Sequence, residues 1–321
     1  MRACALAAMA FGLSVNAWAQ PEKFPTRPLR VVVPQPAGGS MDANARALAV
    51  YLEPALGQNL VIDNRGGANG IIEGELVARA APDGHTMLYT SNSFINNQLV
   101  QKQLPFHVLR DFAPVTLVGK LPGYLTLVNA QVSVTSLKDL IELSKAPGAN
   151  IKFGSGGIGN SQHLLGEFLN VRSGARLIHV PYKGLAPLIT GVLANEIQVC
   201  FAPPTAVLQH IKSGRLRALG YSGARRWAGM PDVPAMIEVI PGFVFDAAWH
   251  GVFAPAATPA AVVSRLQTAI AAAIQIPKMR AFLESGGYVP VASTPADFRA
   301  FLQDDLKNLM ELFRLANIKA E

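Results

Sequence analysis

The stretch Leu29-Arg30-Val31-Val32-Val33-Pro34-Gln35-Pro36-Ala37-Gly38-Gly39-Ser40-Met41-Asp42 decides how the chain is read. An apolar run too short for a helix stops at a proline, a glycine-rich turn follows, and from Asp42 to Leu56 the apolar residues fall at helical spacing. That is a strand, a loop and a helix. Working outward, the pattern recurs as Leu60 to Ile62, a helix near Ile71 to Ala80, and Thr86 to Tyr89 after the turn Pro82-Asp83-Gly84. Alternating strands and helices predict a parallel sheet covered on both faces.

A second set of the same kind follows. Leu125 to Val128 reads as a strand, Ser136 caps a helix through Lys145, and Ile151 to Phe153 leads into another glycine loop with a helix from about Ser161. Then come strand Leu177 to Val180, helix Pro187 to Ala194, strand Ile197 to Phe201, helix Ala206 to Lys212 and strand Leu216 to Leu219. Thr258-Pro259 and Thr294-Pro295 each place a capping residue before a proline, opening helices to about Gln275 and Ala316. With no linker between them, two α/β units in one chain predict domains joined by crossing strands, near Tyr124 and Ala248, with the ligand site in the cleft between.

The chain has 321 residues, half of them hydrophobic and 15% charged, with two cysteines. This excludes a disordered tail, a collagen and a disulfide-stapled miniprotein. At roughly 100 to 200 residues per domain, one large or two ordinary domains bury their cores without a metal or cofactor. The formal charge of +7 is spread along the chain, Arg225-Arg226 being the one adjacent basic pair, so no nucleic-acid partner is expected.

Residues 1–19 read as a signal peptide. Arg2 is a short basic start, Ala3 to Val15 is apolar apart from Ser14, and Ala17-Trp18-Ala19 ends in the small-x-small pattern cut by signal peptidase. Cleavage after Ala19 and a periplasmic product are expected. Cys4 leaves with the signal. Cys200 then remains alone in Ile197-Gln198-Val199-Cys200-Phe201, a buried-strand pattern that predicts an inert core thiol. No later apolar run approaches the roughly 20 residues that span a bilayer.

The two glycine loops carry the chemistry. In the first, backbone N–H groups at a helix N-terminus suit an anion, small residues let a ligand approach, and Ser40 or Asp42 can cap the helix. Gln35, directly after Pro34, is expected to face the cleft with both a donor and an acceptor. The second loop, Gly154-Ser155-Gly156-Gly157-Ile158-Gly159, satisfies G-x-G-x-x-G. A dinucleotide site, however, needs an acidic residue about 20 positions on, and Arg176-Leu177-Ile178-His179-Val180-Pro181 supplies none. What remains is a second anion-binding helix N-terminus, with Asn160, Ser161 and His163 as extra donors.

Other chemistries find less support. Phe153 occupies the first glycine position of an acyl-transfer elbow around Ser155. His163 and Glu167 share a helix face but lack a third metal ligand. His85, His107, His210 and His250 stand alone, and Phe243, Phe245, Trp249 and Phe253 read as core.

Several segments together resemble the Bug receptors, the extracytoplasmic solute receptors of tripartite tricarboxylate transporters. They include Phe24-Pro25-Thr26-Arg27-Pro28-Leu29-Arg30 with Ala37-Gly38-Gly39-Ser40, Asp63-Asn64-Arg65, Ala81-Pro82-Asp83-Gly84, Val180-Pro181-Tyr182-Lys183-Gly184, Gly214 to Leu219, Pro231-Asp232-Val233-Pro234 and Ala254 to Pro259. The resemblance covers essentially the whole mature chain. It implies a type II-like Venus flytrap, a two-domain periplasmic binding protein that closes on a small organic carboxylate without catalysis, metal or cofactor. Domain 1 would comprise residues 20–123 plus 248–321, and domain 2 residues 124–247.

By the same resemblance the two loops pinch one ligand carboxylate from opposite domains. The expected binding set is Gln35, Ala37, Gly38, Gly39, Ser40 and Asp42 in the first loop, with Gly157, Ile158, Gly159, Asn160, Ser161 and His163 in the second. Ser91, Ala202 and Pro203 complete it. The sequence departs from the family pattern at Gln35, where an aromatic is common, at Asn69, and at Gln198 and Ala202. An amide at position 35 favours a hydroxy acid, amino acid or dicarboxylate over a bare aromatic acid. The expected partner is a membrane permease of the tripartite type, or a sensor protein, served by a monomeric receptor. Against a secreted α/β enzyme stands the lack of any nucleophile–base or metal set.

Overall fold

In a computed structural model, residues 24–66 and 70–316 are described; residues 1–19, expected to be a signal peptide, and Asn69 lie outside them. Strand β1 (Leu29–Val33) runs into helix α1 (Ser40–Leu56), whose buried Ala45, Leu48, Ala49, Leu52 and Leu56 form one apolar face. Gly57 ends the helix in the left-handed conformation (φ 69°), its N–H donating to the Glu53 carbonyl. β2 (Leu60–Asn64), α2 (Ile71–Ala78), β3 (Thr86–Ser91), α3 (Ser93–Val100), α4 (Val108–Asp111) and β4 (Phe112–Leu121) follow.

The chain then enters a second layer set. It runs through β5 (Leu125–Asn129), α5 (Leu137–Lys145), β6 (Lys152–Ser155), α6 (Ser161–Ser173), β7 (Ile178–Pro181), α7 (Leu185–Leu193), β8 (Val199–Ala202), α8 (Pro204–Lys212) and β9 (Leu216–Tyr221). Ser136 caps α5 as foreseen, in a reciprocal box with Asp139. The return passes through β10 (Ala248–Pro255), α9 (Ala260–Gln275), α10 (Pro277–Ser285), β11 (Val289–Pro290) and α11 (Pro295–Ala316).

The strands form two sheets, ordered β11-β4-β10-β3-β1-β2 and β7-β6-β8-β5-β9. Both are mixed, which corrects the expectation of parallel sheets. β1, β2 and β3 are parallel, as are β6, β7 and β8, but β10 runs antiparallel to β3 and β4, and β5 runs antiparallel to β8 and β9. Apart from the two-residue edge strand β11, which runs antiparallel to β4, the strands that break the pattern are those that follow a crossing between sheets. Each enters from the junction instead of from a covering helix, so no right-handed crossover fixes its direction.

The two crossings touch. The Ser222 hydroxyl, fully buried, accepts from the Tyr124 N–H at 3.0 Å and donates to the Phe245 carbonyl at 2.9 Å, and the Ala247 N–H donates to the Leu121 carbonyl at 3.0 Å. A Cβ on Gly123 would stand 2.5 Å from the Gly223 nitrogen, so only glycine lets these segments approach so closely.

The core explains why the aromatic run is structural. Phe94, Phe106, Phe112, Phe253 and Phe298 are buried together, with centroid separations such as 4.9 Å for Phe94 and Phe112. Each such ring contributes about 1.5 to 3 kcal/mol through burial alone. Leu164 of α6 inserts into this same cluster, so α6 is anchored on the first lobe as well as the second. Cys200 is fully buried, and burial pushes its thiol up to about 12, which leaves it protonated and inert. Among the described residues no single helix is long and apolar enough to cross a membrane.

Candidate ligand-binding cleft

A cleft of about 1060 Å³ lies between the two sheets, lined from both. It gathers Gln35, Ala37, Ser40 and Ser91 from the first lobe with Gly157, Asn160, Ser161 and Pro203 from the second. Ser40 and Ser161 are the first residues of α1 and α6, and the residues before them, Gly39 and Asn160, have nearly the same backbone angles, φ −75°, ψ 168° and φ −76°, ψ 169°. Each sheet thus presents one serine at a helix N-terminus to the same space.

Each loop is also braced by a glutamine. Gln35 Oε1 accepts from the Met41 N–H at 2.8 Å, and Gln162 Oε1 accepts from the Gly156 N–H at 2.8 Å. Gln35 therefore serves its own loop with its acceptor, while its side chain still lines the cleft. That bond does not use the amide nitrogen.

Several expected ligand contacts turn elsewhere. Asp42 is buried, accepts from the Gly38 N–H at 2.8 Å and pairs with Arg46 Nε at 2.8 Å. Burial pushes its carboxyl up, but the Gly38 N–H and Arg46 outweigh this and hold it below the usual range, so it is a loop staple outside the cleft lining. Gly38 is required by its φ of 87°; a Cβ on Gly39 would stand 2.1 Å from Gln35 Cδ, so Gly39 makes room for a side chain and not for a ligand. Asn160 Oδ1 is occupied in capping α6, accepting from the Gln162 and His163 N–H groups.

Gly159, Ile158, His163 and Ala202 do not line the cleft either. Gly159 packs against Val100, and its carbonyl accepts from Asn96 Nδ2 at 2.8 Å. Ile158 packs on the aromatic cluster of the first lobe. His163 Nδ1 accepts from the Gly159 N–H at 3.0 Å, and its ring stacks on His179 at 3.9 Å. Ala202 is buried in β8, and Gln198 Oε1 accepts from the Lys152 N–H at the far end of the same sheet. His163 Nε2 and Glu167 are 3.9 Å apart, and among the described residues no group of three or more His, Cys, Asp or Glu could hold a metal ion.

Other lining residues were not legible beforehand. Tyr124 comes from the first crossing, His250 from β10 and Tyr288 from the residue before β11, with Asn92 and Lys183 at the edges. The Asn92 side chain donates to the Ser161 hydroxyl at 3.0 Å across the lobes. Burial pushes the Tyr124 hydroxyl up to about 12 despite a contact with Ser161, so it stays protonated. These residues come together only through tertiary structure: Lys183 sat in a segment singled out from the sequence and Tyr124 and His250 at the expected crossings, but none of them was expected as a lining residue.

The electrostatics have one sign. The N-terminal ends of α1, α3, α6 and α7 all contribute residues to the cleft, each carrying about half a positive charge. Lys183 is the one formally charged side chain among the described lining residues, and no carboxylate faces in. Lys183 is exposed, so its attraction for an anion at 4 Å is only about 1 kcal/mol in water. Oriented N–H groups and hydroxyls in the enclosed space are the stronger determinants.

Residues 44–318 match the tripartite tricarboxylate transporter family receptor. The chain belongs to this receptor family. BugT of Bordetella pertussis is 35% identical over 301 residues, covering 93% of this chain and 92% of BugT. The structure of the periplasmic binding protein BugD superposes with a TM-score of 0.82 at 31% identity, over 93% of this chain and all of BugD. R. palustris Rpa4515, solved with adipate, gives a TM-score of 0.84 at 29% identity over 93% of this chain and all of its own. The two sheets are therefore those of a tripartite-transporter receptor, an α/β periplasmic binding protein fold, and the chain is a solute-binding receptor and not an enzyme.

Proposed function

We propose that this receptor is exported, with cleavage after Ala19, and captures a small organic carboxylate in the periplasm for a membrane permease of the tripartite type. The lobes, residues 20–123 plus 248–321 and residues 124–247, close about the crossings stitched by Ser222. The observation that carries the reading is the one-signed cleft: helix N-termini, serines and Lys183, with no carboxylate among the described lining residues. Such a lining stabilises an anion and leaves a cation without a partner.

Gln35, Ser40, Ser91, Gly157, Ser161 and Pro203 form the proposed contact set. The acid is a dicarboxylate or hydroxy acid, because the Gln35 amide N–H2 offers a donor beside the helix end that holds the first carboxylate. That a relative was solved with adipate supports the same class. A receptor working by lobe closure needs no second copy, and a monomer is expected.

The test is a thermal-shift screen of the mature protein against mono- and dicarboxylates, hydroxy acids and their neutral amides. A ligand at 100 times its Kd raises stability by about 2.7 kcal/mol. Stabilisation by neutral amides as large as by the acids would overturn the assignment.

A further inference from the structure

The second glycine loop is held from both lobes at one peptide, that of Gly159. Asn92 and Asn96 stand one turn apart at the start of α3, on the face turned to the second lobe. Asn92 Nδ2 donates to the Ser161 hydroxyl at 3.0 Å, and Asn96 Nδ2 donates to the Gly159 carbonyl at 2.8 Å. From the other lobe, His163 Nδ1 accepts from the Gly159 N–H at 3.0 Å. Both assignments follow from chemistry: a carbonyl only accepts, so Asn96 must present its nitrogen, and a backbone N–H only donates, so His163 must keep its proton on Nε2. The His163 ring is held in its plane by His179, stacked at 3.9 Å. A Cβ on residue 159 would stand 2.4 Å from Val100 Cγ2, so the peptide meets α3 only because that residue is glycine.

We propose that Asn96 and His163 are positioning residues for ligand capture: gripping the Gly159 peptide from opposite lobes, they fix the glycine loop in the shape that carries Gly157 and Ser161 to the ligand's anionic group. The proposal rests on the reading of the cleft as an anion site. Gly157 and Ser161, two residues to either side of Gly159, line the cleft, whereas Asn96 and His163 are buried outside its lining. Four of the six residues from Gly154 to Gly159 are glycine, and such a segment loses the most conformational freedom when a ligand orders it. A loop already held at Gly159 avoids that cost on binding. Losing either grip therefore weakens capture without removing a ligand contact.

The grip itself is read by amide hydrogen exchange of the glycine-labelled, ligand-free native protein. The buried Gly159 N–H should exchange at least about a hundredfold more slowly than that of exposed Gly148, and equal rates would overturn the proposal whatever the ligand. The role in capture is read by calorimetry with adipate as the probe. Asn96→Leu, of similar size but without the donor, should bind adipate roughly tenfold more weakly than the native protein. His163→Asn keeps an acceptor at the place of Nδ1 and should bind adipate more tightly than His163→Gln, whose acceptor sits one bond further out; equal affinity in the two counts against the proposal. Because both residues act through one peptide, Asn96→Leu combined with His163→Gln should lose little more than the weaker-binding single variant, and additive losses would overturn the shared grip. Should Asn96→Leu fail to fold, the comparison of His163→Asn with His163→Gln decides in its place. Undiminished adipate affinity in a folded Asn96→Leu protein would overturn this proposal alone. Failure of the native protein to bind adipate, succinate or any acid of the screen would overturn the anion reading and the positioning role with it.

Discussion

Gln35 Oε1 accepts from the Met41 N–H at 2.8 Å, so the side chain that begins the first loop also closes it onto the first turn of α1. Replacing Gln35 with Leu strands that N–H at a partly buried position. We expect a loss of about 1 kcal/mol in stability together with weaker carboxylate binding. Denaturant unfolding and calorimetry on the same variant check both, and an unchanged midpoint would show that the brace is dispensable.

The same pair predicts a coupling. A Cβ on Gly39 would collide with Gln35 Cδ at 2.1 Å, so Gly39→Ala should disrupt binding by displacing Gln35. In a Gln35→Ala background the collision is gone, and Gly39→Ala should cost at least about 1 kcal/mol less in that background. Equal costs in the two backgrounds would mean that Gly39 faces the ligand directly.

The junction gives a third outcome. Ser222 satisfies one N–H and one carbonyl from two different crossing segments in a fully buried place. Ser222→Ala leaves both unpartnered, at about 1 to 3 kcal/mol each. A melting-temperature drop of only a degree would contradict a stitched junction.

Three histidines, His163 and His250 buried and His179 half-buried, set the acid response. Burial pushes His163 down to about 4 and His250 to about 3, and burial with the neighbouring His163 pushes His179 to about 3, all from 6.5. The unfolded chain binds more protons than the folded one between those values, so stability is full above about pH 6.5 and is lost as the pH falls toward 4 and then 3. At pH 5 each contributes a loss on the order of 2 kcal/mol relative to neutral pH. Thermal melts from pH 8 to pH 4 should show the decline, and His179→Asn should flatten it; a pH-independent melt would remove the argument.

Much of this fold could be read from the sequence because local rules govern it. Gly57, Ser136 and Asn160 punctuate helices by capping chemistry that any reader of the chain can see, and the strand-loop-helix units brought Gln35, Ser40, Ser91, Ser161 and Pro203 to one cleft. Helix α3 was not foreseen: Ser93-Phe94-Ile95-Asn96-Asn97 has poor helical propensity and no side-chain cap, and the helix is held by burial of Phe94 and Ile95. The sheets came out mixed because direction at a crossing is set by the whole topology. In the site, the donors expected for the ligand were partly consumed by Asp42, Gln162 and Asn160, whose short-range bonds compete with it. Tyr124 and His250 lie at the two expected crossings, but Tyr288 lies far from both in the chain, and nothing local marks it as their neighbour.

The central claim is that the cleft recognises negative charge. The most direct measurement is calorimetric titration of the mature protein with adipate and with adipamide, which share a carbon skeleton and differ in charge. The account predicts that adipate binds at least about a hundredfold more tightly, or about 2.7 kcal/mol. Equal affinity for the two, or tighter binding of the neutral amide, would contradict it.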